Sequence, residues 1–209
     1  DSDYKKIYRF QFIYAWFLYG LMTFSFATIK EFKQLIEWSK NEIITVSQFR
    51  QLMFELIGWK TMYYVFILLI PILVLNISFL EWFSLFFLMH FVAGFVLAIV
   101  FQTAHIMPDC KHLKYSEKLD LNTWAINQLL TTSNYSLNNK LFSWLIGGLN
   151  YQIEHHLFPG ICHVHYEKIS PIVRKVASDY NLPYHYKQNF LQAIIAHGKM
   201  LYYLGQVPK

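Results

Sequence analysis

Residues 62–107 read MYYVFILLIPILVLNISFLEWFSLFFLMHFVAGFVLAIVFQTAHIM, and this stretch decides the fold. Glu81 is its only charged residue, dividing it into Met62–Leu80 (19 residues) and Trp82–Met107 (26 residues). A helix rises about 1.5 Å per residue, so about 20 residues cross a hydrocarbon layer of ~30 Å. Both arms are long enough and dense in Ile, Leu, Val and Phe, which predicts a transmembrane hairpin with a tight turn at Glu81. Pro71 is expected to kink the first arm, a fault that neighbouring helices can absorb. Lys30, Lys33, Lys40, Arg50 and Lys60 precede the hairpin, Lys111, Lys114 and Lys118 follow it, and the turn has neither Lys nor Arg. The positive-inside rule then puts both feet in the cytoplasm.

Composition supports this reading. The chain has 209 residues, 55% hydrophobic, 19% aromatic and only 15% charged, where a soluble domain carries about 25% charged residues. Disorder, collagen, coiled coil and a disulfide scaffold are excluded. The net charge of +5 is read as membrane topology, not as a nucleic-acid surface. Cys110 and Cys162 are 52 positions apart and form no CxxC pair.

A third charge-free run, Phe10–Ile29, is rich in Phe, Tyr and Trp and carries Lys or Arg on both flanks (Lys5, Lys6, Arg9; Lys30, Lys33). It is expected to lie in the interface or to re-enter, with a true span as the alternative. The remainder, residues 109–209, is expected to be a cytoplasmic helical cap. Its helices are predicted at Asp120–Leu130, Leu141–His156, Ser170–Tyr180 (Pro171 in the first turn) and Asn189–Leu204, with a loop over Ser133–Lys140. The expected fold class is all-α integral membrane: a transmembrane hairpin, an interfacial helix, and a cap.

Nine histidines are present. On a helix, Gln152, His155 and His156 are neighbours, because i, i+3 and i+4 share a face, and Glu154 points to the opposite side. Imidazoles suit Fe, Zn, Cu and Ni; the alternative is a polar helix end with two ordinary histidines. His105, at the cytoplasmic end of the second arm, is either a functional group or a residue that snorkels. No span separates it from His155, so a shared site is permitted. His90, about 22 Å before His105 along the helix, is expected to bond a neighbouring helix or to face a buried cavity. His163 and His165 could orient a ligand or sit exposed in a loop. His112, His185 and His197 are read as surface residues. The Lys111, Lys114, Lys118 cluster could meet an anionic headgroup, with positive-inside loops as the simpler account.

The run Gly147-Gly148-Leu149-Asn150-Tyr151-Gln152-Ile153-Glu154-His155-His156-Leu157-Phe158-Pro159 resembles the third histidine box of membrane fatty acid desaturases. Gln152 in its first position resembles the front-end and bacterial acyl-lipid or linoleoyl-CoA branch. Gln102-Thr103-Ala104-His105, Trp124, Gln128, Thr131-Thr132, Cys162-His163-Val164-His165-Tyr166, Leu182-Pro183-Tyr184, Tyr14-Ala15-Trp16 and Leu18-Tyr19-Gly20 fit the same family. The resemblance implies two non-haem iron ions on the cytoplasmic side, with His105, His155 and His156 as ligands and Gln152 near the iron.

It further implies O₂ as co-substrate, a ferredoxin or cytochrome b-type electron donor, and a fatty acyl-CoA or acyl-lipid substrate among membrane lipids. The family's His-x-x-x-His and His-x-x-His-His boxes do not occur in these residues. The expectation is therefore a C-terminal portion of one desaturase domain, inactive alone. Two alternatives stay open: a di-iron lipid hydroxylase, and a non-catalytic membrane protein with packing histidines.

Overall fold

The computed structural model describes residues 4–111 and 124–206. His112, Lys114, Lys118 and the first part of the helix predicted at Asp120–Leu130 lie outside the described residues. Among the described residues the fold is all-α apart from one two-residue strand pair. Four long helices come first: α1 (Lys6–Gly20), α2 (Met22–Lys40), α3 (Val46–Leu75) and α4 (Phe79–His105). Six short elements follow: α5 (Trp124–Thr131), β1 (Asn134–Tyr135), α6 (Lys140–Leu145), α7 (Gln152–Leu157), α8 (Tyr166–Asp179) and β2 (Tyr186–Lys187). Helix α9 (Phe190–Leu204) is the last. The chain divides into two compact units, residues 16–96 and residues 1–15 with 97–209.

Helices α3 and α4 are long and apolar enough to cross a membrane. The first hairpin arm starts at Val46, 16 residues before the stretch that sequence alone marks, because the Thr45–Gln48 capping box sets its start. The Thr45 backbone N–H donates to Gln48 Oε1 (2.9 Å), and Gln48 N–H donates back to Thr45 Oγ1 (3.3 Å). The turn also differs from the expectation. It falls at residues 76–78, not at Glu81, with Asn76 in the left-handed region (φ 51°). Glu81 lies in the first turn of α4, accepting from the Ser78 N–H at 2.8 Å, while its own N–H donates to Ser78 Oγ at 3.3 Å. A carboxylate at a helix N-terminus is favourable, which explains the one charge in the stretch.

Pro71 sits in α3, just after a π-helical turn at Val65–Leu69. Lacking an N–H, it leaves the carbonyl of Ile67 without its helical donor. The Trp82 indole N–H donates to that carbonyl at 2.5 Å. A second π turn, Phe26–Lys30 in α2, is served likewise: Lys60 Nζ donates to the carbonyls of Phe26 (2.7 Å) and Ala27 (2.6 Å) and pairs with Glu31 at 2.9 Å. In lipid every such carbonyl needs a protein donor. The aromatic run Phe10–Ile29 is helical and bent by 57° between α1 and α2. Within the 16–96 unit, Gly94 lets helices close up, since a Cβ there would stand 2.7 Å from the Gly20 carbonyl oxygen.

The second unit is assembled from short pieces around two apolar clusters. One holds Ala104, Met107, Cys110, Tyr135 and Ala193; the other holds Leu129, Ile153, Val173 and Ala177. The helix predicted over Leu141–His156 is two helices, α6 and α7, because Gly147 (φ 62°) and Gly148 (φ 71°) take left-handed conformations that end α6. Pro171 lies inside α8, not in its first turn, since α8 begins at Tyr166. The predicted loop at Ser133–Lys140 begins as core. Thr132, Ser133, Asn134 and Tyr135 have no exposed surface, and β1 pairs in parallel with β2, Asn134 opposite Tyr186.

Candidate metal centre

The site is built from the last turn of α4 and from α7, with α5 and α8 behind them. His105 ends α4, and His155 and His156 occupy the last turn of α7. The His105 and His156 ring centroids are 5.0 Å apart, and those of His155 and His156 are 5.7 Å apart. Gln152, one turn earlier on α7, is buried and hydrogen-bonded to His105, and its Nε2 donates to the Leu149 carbonyl at 2.8 Å.

The supporting hydrogen bonds decide which ring nitrogens are available. Gln128 Oε1 lies 2.9 Å from His156 Nδ1. An amide oxygen only accepts, so Nδ1 carries the proton and Nε2 keeps its lone pair. Burial, with the imidazoles of His105 and His155 adding to it, pushes the His156 pKa down to about 4, so the ring is neutral at physiological pH. A neutral imidazole with one nitrogen anchored is the form that binds a metal. His105 is hydrogen-bonded to the Thr131 carbonyl, and His155 Nδ1 lies 3.4 Å from the Tyr166 hydroxyl.

Among the described residues, no group of three or more His, Cys, Asp or Glu side chains has the geometry to hold a metal ion by itself. The donor set fits an iron shell in part: imidazole nitrogens are available, but among the described residues no carboxylate faces them. Glu154 is turned away and fully buried. Asn134 Nδ2 donates to its Oε2 at 2.7 Å, and the Tyr184 hydroxyl donates to its Oε1 at 2.8 Å. Burial pushes this carboxyl above the usual carboxylate range.

Of the remaining histidines, His90 bonds neighbouring helices as expected. Its Nε2 is 2.9 Å from the Tyr63 hydroxyl and its Nδ1 3.3 Å from Thr23 Oγ1. His197 is not on the surface. It is fully buried, with Nδ1 2.9 Å from the Ile106 carbonyl, because the apolar face of α9 carries it into the core. His163 and His165 form a 3-10 turn, and Gly148 is close to His163: a Cβ there would lie 3.0 Å from the His163 Cβ. Sequence reasoning missed Gln128 as an orienting group and Asn134 altogether. An apolar cleft of about 330 Å³ opens beside α7, lined by Trp124, Leu129, Leu157, Phe158, Ile169 and Val173 among others.

Comparison with known proteins identifies the family. The fatty acid desaturase family profile matches residues 1–188. The chain is 35% identical to Delta(5) fatty acid desaturase A of Dictyostelium discoideum, over 96% of this chain and 44% of that protein. It is 32% identical to the sn-1 linoleoyl-lipid 6-desaturase of Arthrospira platensis, over 94% of this chain and 53% of that protein. It is 30% identical to the enzyme of the same name from Synechocystis, over 99% of this chain and 58% of that protein. The chain thus spans about half the length of the curated relatives it matches. No solved structure matches it. A helical membrane protein whose match runs from the first helices through the histidine box, this chain belongs to the fatty acid desaturase family.

Proposed function

We propose that these residues form part of an oxygen-dependent fatty acyl desaturase, in which His105, His155 and His156 supply ligands to a centre of two non-haem iron ions. The convergence of the three rings, 5.0 and 5.7 Å between centroids, carries this reading. Bound iron supplies the oxygen activation that removal of hydrogen from an unactivated methylene requires. In balance, a methylene pair loses two hydrogens, and dioxygen takes up two electrons and two further protons and leaves as two waters. A ferredoxin or cytochrome b-type carrier donates the electrons. The remaining ligands come from outside these 209 residues, which contain neither of the family's other two boxes.

The chain's own residues do the positioning. Gln128 holds His156 with Nε2 free. Gln152 stands beside His105 and fills the first position of the box, near the iron. The apolar cleft beside α7 suits the methylenes of an acyl chain carried on CoA or on a lipid. The protein is multi-pass, with the site on the cytoplasmic side, as the lysines flanking the hairpin favour.

The test is to express the full-length gene product in cells and profile double bonds and iron. His105→Ala, His155→Ala and His156→Ala should each remove both the product and the iron. Undiminished product from all three would overturn the reading, and a product gaining an oxygen instead of losing two hydrogens would make it a hydroxylase.

A further inference from the structure

Helix α7 has six residues, too few to hold its own shape. It follows the Gly147–Gly148 break and stops before Pro159, so neither flank fixes its rotation. What grips it is Asn134. The amide oxygen of Asn134 accepts the Ile153 N–H at 2.9 Å, an orphan donor of the first turn. Its amide nitrogen donates to the Glu154 carboxylate at 2.7 Å and to the Tyr184 hydroxyl at 2.8 Å. Ser170 Oγ, 2.7 Å from that hydroxyl, completes the ring of partners.

Asn134 is itself tied to the helix that carries His105. Its backbone N–H donates to the His185 carbonyl at 2.9 Å. Its neighbour Ser133 donates N–H to the Ala104 carbonyl at 2.9 Å, and the Tyr135 hydroxyl donates to the Val100 carbonyl at 2.8 Å. Thr131, three residues earlier, offers its carbonyl to the His105 ring. The strap at residues 131–135 therefore touches both histidine-bearing helices. Apolar packing at the buried Glu154 position would stabilise the fold at less cost than a desolvated carboxylate, so the polar arrangement is better explained by the orientation it imposes.

We infer that Asn134 and Glu154 form a positioning clamp that sets where His155 and His156 stand relative to His105. This rests on the proposed metal-binding role of those histidines. Neither clamp residue touches the reacting atoms; both act through α7.

The test moves the carboxylate across its hydrogen bond. Glu154→Gln leaves one acceptor where the carboxylate has two, setting an N–H against either the Asn134 amide or the Tyr184 hydroxyl, and Asn134→Asp sets two carboxyl groups against each other; the double substitution restores one donor and one acceptor. Each variant of the full-length protein is purified in detergent. Iron content, the optical spectrum of the Co²⁺-loaded protein, and amide hydrogen exchange over residues 150–157 of the metal-free protein are then measured.

Each single variant should lose iron at least about tenfold and shift the Co²⁺ spectrum. The double variant should return both to within about twofold, with exchange over α7 slowed again. Should the singles fail to fold, Tyr184→Phe removes the hydroxyl that donates to Glu154 Oε1, accepts from Asn134 Nδ2 and meets Ser170 Oγ, and should cost about threefold in iron per folded molecule. Folded singles with full iron and the original spectrum would overturn the clamp, as would a double variant no better than the worse single, or an unaltered Tyr184→Phe protein. Wild-type protein without iron, equal to His155→Ala, would instead overturn the metal reading. The exchange arm still tests the clamp in that case: uniform exchange over α7 in all variants rejects it.

Discussion

His90 and His156 are both partly buried and both pack against other rings, His90 against Phe24, Tyr63 and Phe86 and His156 against two imidazoles, yet they differ at one atom. In the 16–96 unit, both nitrogens of His90 have hydroxyl partners, Tyr63 and Thr23. In the other unit, His156 has Gln128 on Nδ1 and a lone pair on Nε2. The first ring is fully occupied and joins helices; the second is held from behind and presents a donor. For this pair, what stands on the second ring nitrogen separates the packing histidine from the candidate ligand.

The largest expected effect is on turnover. His156→Ala should lower double-bond formation by more than about 100-fold, while His90→Ala leaves product per folded molecule nearly unchanged. Lipid profiling normalised to purified protein checks this, and equal losses would erase the distinction between the two rings. Next comes the orienting amide. Gln128→Leu frees His156 to rotate and change tautomer, so iron affinity should fall about 10–100-fold, read by metal competition with a chelator.

Acid should act on the metal-free protein through the same ring. An unfolded histidine titrates near 6.5 and His156 in the fold near 4, so below about 6.5 the unfolded chain binds the extra proton. The stability His156 contributes is full above that pH and is lost as pH falls through 4. Glu154, with its pKa raised, works in the opposite sense, its contribution fading as pH rises. Thermal midpoints of metal-free wild type and His156→Gln from pH 7 to 4 separate the two, with the wild type declining more steeply. The smallest effect belongs to Tyr63→Phe. It removes one bond to His90 and should cost about 0.6 kcal/mol of stability with iron content unchanged.

How far the sequence carried these points follows from what each residue must do. The hairpin was readable because a long charge-free run has few other uses, although Ser78-x-x-Glu81 would also have located the start of α4. His155 and His156 stand out as candidate ligands through a family pattern, whereas Gln128 is only a matching letter in it. Ser133, Asn134 and Tyr135 read as loop because a polar run looks like one until its partners are known. Those partners lie up to 51 residues away, at His185. His197 failed for the same reason, since a lone histidine in an amphipathic helix does not announce a carbonyl 91 residues before it.

That last bond bears on biogenesis. His197 reaches back to the Ile106 carbonyl, immediately after His105, so the ribosome must finish α9 before the foot of the hairpin is braced. Insertion into the bilayer can precede this step, but iron loading at the proposed centre should wait for it. A nascent chain arrested before Phe190 would then reside in the membrane while still unable to mature, giving quality control a defined interval in which to act.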